Sequence, residues 1–149
     1  MAMKLISQRD YRWSQKKIGQ SNLTVGRFGC TISSLSMLSS WYDCFMDPGQ
    51  IADKPWFTPA GLVDWTKLHF ETFRFVKRVR YFDFAAVADA LRGEDTAVIL
   101  EVDNSHWVVA TGFYPWNRQV LRIADPWFGD KSTTKRYGKV TGFAVFTRK

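Results

Sequence analysis

Cys30 follows Gly29 directly and stands at the start of a segment with helical periodicity. A thiol at a helix start faces the positive end of the macrodipole and unpaired backbone N–H groups, and both favour the thiolate, its nucleophilic form. The same position also suits a small buried residue. What separates the two readings is a base, because a cysteine nucleophile needs one within hydrogen-bond reach. The chain has only two histidines, His69 and His106. His69 sits beside Lys67 near the end of a polar segment and reads as a surface residue, whereas His106 opens the apolar run His106-Trp107-Val108-Val109-Ala110. A third group should orient the imidazole. The run from His106 reaches Phe113, and Tyr114-Pro115-Trp116-Asn117 reads as a tight turn. Folding that hairpin between Pro115 and Trp116 sets Asp125 opposite His106, where Cβ atoms are roughly 5 Å apart. Asp103 and Asn104, on the approach to the same strand, are the alternatives. The second cysteine, Cys44, lies fourteen residues on, about 21 Å along a helix axis, and reads as a structural or surface residue. Both thiols are expected free. Two cysteines and two histidines lack the spacing of a zinc site, so no metal or cofactor is expected.

These residues need a scaffold. From Thr31 to Tyr42, Ile32, Leu35, Leu38 and Trp41 recur at three-residue spacing, which predicts a helix with one buried face. Asp47-Pro48 pairs an N-cap with a first-turn proline and predicts a short helix to Ala52. Thr58-Pro59 repeats that signal and predicts a helix to about Leu68. Phe73–Phe82, rich in aromatic and β-branched residues, predicts a strand carrying Arg74, Lys77, Arg78 and Arg80. Asp83 caps a helix running to Leu91, with Gly93 ending it. Strands follow at Ala97–Val102, His106–Phe113, Gln119–Ala124 and Gly142–Thr147, while residues 1–29 read as irregular. Helices first and a largely antiparallel sheet afterwards is the α+β arrangement.

The chain has 149 residues and 17.3 kDa, the length of a single domain spanning residues 1–149. An apolar fraction of 46% with 23% charged residues excludes disordered, collagenous and coiled-coil classes. No apolar run approaches the roughly 18 residues of a transmembrane helix. Met1–Asp10 lacks the apolar core of a signal peptide. Cytoplasmic synthesis is therefore expected. Aromatic residues reach 16%, with seven tryptophans, and large aromatics beyond the core's needs can line a groove. The net charge of +7 favours an anionic partner: a cell-wall polymer, nucleic acid or a membrane surface. No helix-turn-helix, zinc finger or RNA-recognition motif accompanies the charge, so nucleic acid is the weakest of these readings.

The ordered set Gln8-Arg9-Asp10-Tyr11-Arg12-Trp13, Gly29-Cys30-Thr31-Ile32-Ser33-Ser34-Leu35-Ser36-Met37, His106-Trp107-Val108-Val109-Ala110-Thr111-Gly112 and Asp125-Pro126-Trp127 resembles the C39-like cysteine peptidases. These are papain-like proteins related to the domains that cleave leader peptides from bacteriocins, and the resemblance runs from Gln8 to the last strand. It implies a papain-like fold, Cys30 as nucleophile, His106 as general base and acid, and Asp125 as the orienting residue. It also implies that Gln8 supplies an oxyanion donor together with the backbone N–H of Cys30, with Gln20 a rival and Gln15 a weaker one. The implied reaction is hydrolysis of a peptide, isopeptide or cell-wall amide through a thioester. Without an ATP-binding signature or membrane region beside it, the chain does not suggest the transporter-linked role. A phage or bacterial enzyme acting at the cell envelope after release fits the charge. A papain-like module without turnover is the other reading. Residues 131–149 hold six basic residues and no acid, and together with Arg74, Lys77, Arg78 and Arg80 they form either one basic face or two separate surfaces.

Overall fold

A computed structural model describes residues 3–149. Helices come first: α1 (Val25–Phe28), α2 (Cys30–Trp41) and α3 (Pro48–Ala52) precede β1 (Phe73–Val79), α4 (Phe84–Arg92), β2 (Thr96–Val102), β3 (His106–Tyr114), β4 (Asn117–Asp125), β5 (Asp130–Thr133) and β6 (Val140–Arg148). The strands form one six-stranded antiparallel sheet in the order β1-β6-β2-β3-β4-β5, so the architecture is α+β. Alternation along the strands sends Ile99, Trp107, Val109, Ala144 and Phe146 to a core shared with α2 and α3. Leu100, Val108, Ala110, Ile123 and Phe143 go to a second core beneath α4, in which Val87 is buried. Among the described residues no helix is long and apolar enough to cross a membrane.

Helix α2 is the element that carries Cys30. Its periodicity predicts one buried face, but every residue from Ile32 to Ser39 is buried. The reason is its serines. Ser34 Oγ donates to Trp107 O at 3.3 Å, Ser36 Oγ to Met46 O at 2.7 Å and Ser39 Oγ to Ser36 O at 2.7 Å. Small side chains whose hydroxyls, Ser33 Oγ excepted, find backbone acceptors let the sheet and the following loop close on a face that polarity alone assigns to solvent. The short helix α3 opens as its sequence predicts. Asp47 accepts from Gln50 N, and Gln50 Oε1 accepts from Asp47 N, a reciprocal capping box with Pro48 in the first turn.

The helix expected from Thr58 to Leu68 does not form. Gly61 stands at φ +85°, and a Cβ there would lie 2.6 Å from Ser21 Oγ. A left-handed glycine packed against another segment ends a helix within its first turn. The segment folds instead as a tight loop joined by the Phe57–Val63 bridge, followed by a 3₁₀ turn at Trp65–Lys67 that Asp64 caps. The strand expected to Phe82 ends at Val79, where pairing with β6 stops.

Candidate active site

Cys30 is the first residue of α2, and the close approach that its preceding glycine permits is made one turn earlier. A Cβ on Gly29 would lie 2.5 Å from Val25 O, so α1 folds directly onto the start of α2. Ser34 lies one turn after Cys30 on the same helix face. Its bond to Trp107 O fixes the helix start against the strand start that carries His106. Cys30 and His106 line the same cleft, close enough for the thiol to act on the charge of the ring. His106 Nε2–H donates to Asp125 Oδ1 at 2.9 Å, which leaves Nδ1 as the ring nitrogen available to a thiol. The expected cysteine, histidine and carboxylate thus come together, with a hydrogen bond joining the histidine to the carboxylate.

The route to Asp125 differs from the register argument. Tyr114 pairs with Asn117, as a fold between Pro115 and Trp116 requires. Farther along, Arg118–Val120 on β4 and Thr111 on β3 interrupt the ladder, and Val109 pairs with Ala124. In that register Asp125 falls opposite Val108, diagonal to His106. The net slip is two residues, which keeps both side chains on one face. Diagonal neighbours remain within reach of side chains of this length.

Asp125 is fully buried and accepts hydrogen bonds from four groups. Besides His106, these are Trp127 N (3.0 Å), Arg136 Nη1 (3.0 Å) and the Tyr137 hydroxyl. Burial would raise its pKa, but these donors win and hold it down at about 2. Burial lowers the pKa of His106, yet the bond to Asp125 and the contact with Cys30 outweigh it and push it up to about 9. At neutral pH an imidazolium therefore sits between a carboxylate and a sulfur. Burial and the Asp125 bond push the Tyr137 hydroxyl above the usual phenol range, which keeps it a donor.

Arg136 and Tyr137 are the site residues that sequence reading misses. Arg136 reads as part of a basic tail, but it bridges Asp125 and Asp130, with 2.8 and 3.0 Å bonds to the latter, and lies 4.4 Å over the Phe128 ring. The only available signal is the alternation of Asp125, Asp130 and Arg136 around a turn, which is common on surfaces. Strand β5, with Lys131 and the following Lys135 and Arg136, lies at the opposite sheet edge from β1 and its Arg74, Lys77 and Arg78. Arg148, on β6, instead pairs with Phe73 of β1, so the basic residues of 131–149 are divided between the two edges.

Gln8 is buried and lines the cleft with Cys30 and His106. Its backbone N–H donates to Pro126 O at 2.8 Å, and its side-chain Nε2 donates to Gly26 O at 3.3 Å. The N-terminal segment is thus clamped between the Asp125-Pro126 corner and α1. Gln8 Oε1 is buried without a partner. Gln15 and Gln20 are exposed and outside the cleft lining. His69 is exposed, as expected. Asp103 accepts from Gly138 N and Lys139 N at 3.1 and 2.9 Å, and those bonds hold its carboxyl below the usual range. It ties down the β2–β3 turn and does not orient His106. Asn104 lies at the cleft rim with left-handed φ of 56°.

The cleft has a volume of about 580 Å³, ordinary for a site that takes a small molecule or a peptide segment. Trp65, Trp107 and Trp127 line it, with exposed Phe28 and Leu62 at its mouth. Both cysteines are free thiols, and Cys44, just past the end of α2, lies outside the cleft lining. Cys44→Ser is expected to leave Cys30 alkylation and any turnover within about twofold of wild type, measured side by side. Among the described residues no group of three or more His, Cys, Asp or Glu side chains could hold a metal ion. No protein-family model, curated protein or solved structure matches this chain.

Proposed function

We propose that the protein is a cysteine peptidase or related amidase of the C39-like, papain-like type, with Cys30, His106 and Asp125 as its catalytic triad. The observation that carries this reading is Cys30 beside His106 at one cleft, with His106 hydrogen-bonded to buried Asp125. Structural ion pairs also perturb pKa values, but here the raised histidine and a thiol share a cavity of substrate size.

The reaction is acyl transfer. The Cys30 sulfur, as thiolate beside the imidazolium, attacks the amide carbonyl carbon and forms a C–S bond, and the carbonyl oxygen takes the negative charge. Donors for that oxyanion are the backbone N–H of Cys30, in the helix turn where intrahelical partners run out, and one N–H of the Gln8 amide. Collapse breaks the C–N bond, and His106 gives its proton to the leaving amine. Water then attacks the thioester while His106 takes its proton, and the acid departs with Cys30 regenerated. Gln8→Ala is expected to lower turnover about a hundredfold, the effect of losing one oxyanion donor. An equal loss in Gln20→Ala would move the role to that residue.

The decisive experiment profiles the protein against peptide, isopeptide and peptidoglycan-fragment libraries, with Cys30→Ala as the blank. Cys30-dependent release of an amine supports the reading. Absence of any cleavage, together with His106-independent reactivity of Cys30, favours a papain-like module without turnover.

A further inference from the structure

The walls of the cleft differ in chemistry from its floor. Beyond the catalytic groups, its charged lining consists of Arg27, Arg78, Arg80 and Glu101. Glu101 is already engaged: its Oε2 accepts from Arg78 at 3.3 Å and its Oε1 from Thr141 at 3.1 Å. Arg27 and Arg80 are exposed and have no ion-pair partner among the described residues. Arg78 is held in place by aromatic faces, its guanidinium 5.3 Å from Trp107 and 5.6 Å from Trp65. Burial and the neighbouring Arg80 charge lower its pKa, so a further anion near this pair relieves like-charge repulsion. Three guanidiniums against one committed carboxylate, in a concave site with aromatic walls, focus a positive field on the space in front of Cys30.

We infer that this cleft selects amide substrates bearing a carboxylate close to the scissile bond, an acidic peptide in chemical class, with Arg27, Arg78 and Arg80 receiving that carboxylate. The inference rests on the cysteine-hydrolase reading of the same cleft. Guanidinium forks suit the ligand, because they match carboxylate geometry with two parallel hydrogen bonds. Arg78 is the preorganised member, fixed between Trp65, Trp107 and Glu101. Arg27 and Arg80 are free to turn toward the substrate.

Iodoacetate and iodoacetamide test this. The two reagents alkylate a thiol by the same displacement, with iodide leaving and a C–S bond forming, and differ chiefly in one negative charge. The experiment measures the ratio of their rates at Cys30 in a Cys44→Ser background, against the same ratio for a free small thiol. The ratio is expected to favour iodoacetate by roughly tenfold over the free thiol at low salt, and to fall toward it at about 1 M salt. His106 also attracts the anion and adds to the excess over the free thiol, so the arginine variants, all of which keep His106, carry the assignment. Arg27→Gln with Arg80→Gln, both exposed positions, is expected to remove most of the preference, and Lys at the same positions to restore part of it. A wild-type ratio equal to that of the free thiol, or a preference unchanged in the double variant, overturns the inference. Matched peptide libraries rich in Glu or in Gln supply the second arm, with faster cleavage expected for the Glu set. Failure of the parent reading looks different: iodoacetamide then reacts with Cys30 at a rate indifferent to His106→Ala, whatever the charge ratio.

Discussion

His106→Ala should lower turnover by roughly 10²–10⁴, the usual range for losing a positioned general acid and base, and Cys30→Ala should abolish it. The pH profile gives the sharper expectation. In the proposed mechanism His106 must carry a proton to release the leaving amine, and its pKa is raised to about 9. Activity should therefore fall on the alkaline side with a midpoint near pH 9, where a free imidazole would place it near pH 6.5. The limb belongs to the coupled thiol–imidazole pair and not to one group alone. The check is kcat/KM from pH 5 to 10 on whichever substrate the libraries yield. Residual turnover in His106→Ala within tenfold of wild type, or an alkaline limb that survives that substitution, would sink the assignment.

The site was legible in the sequence where chemistry restricts the candidates. Two histidines and one helix-start cysteine leave few combinations, and the strand beginning at His106 announces itself by its apolar run. Helix α3 was legible because its cap and proline are local signals. The Thr58–Leu68 segment carries the same kind of signal and misleads, because Gly61 is committed to a left-handed turn by its contact with Ser21, a residue forty positions away in the chain. Strand β5, Asp-Lys-Ser-Thr, has no apolar alternation and becomes a strand only because β4 offers it an edge. The two interruptions in the β3–β4 ladder carry no sequence mark, and Asp125 still meets His106 because the net slip is even. Arg136 and Tyr137 were hidden for a related reason. Their partner Asp125 is eleven and twelve residues away and is buried by tertiary packing, so a residue that reads as solvated charge turns inward to a carboxylate.

Asp125→Ala should cost about 1–3 kcal/mol of stability, because the Tyr137 hydroxyl and the Trp127 N–H lose their buried acceptor, while Arg136 keeps its two bonds to Asp130. Urea unfolding with an unchanged m-value is the measurement. Asp125→Asn keeps the shape and removes the charge, and so separates packing from electrostatics. In wild type the carboxyl titrates at about 2 folded, against an ordinary value of 3.8. Its contribution to stability, about 2 kcal/mol, is complete above pH 3.8 and is lost as pH falls through 2. Asp125→Asn should flatten that acid dependence. It should also move the alkaline limb of activity downward from pH 9, because the carboxylate that favours the imidazolium is gone. Asp103→Asn provides the contrast. Its carboxylate is bonded to Gly138 and Lys139 N–H groups, so that substitution should loosen the β2–β3 turn and leave the limb at pH 9. A limb that shifts in Asp103→Asn and stays fixed in Asp125→Asn would transfer the orienting role to Asp103, against the 2.9 Å bond between His106 and Asp125.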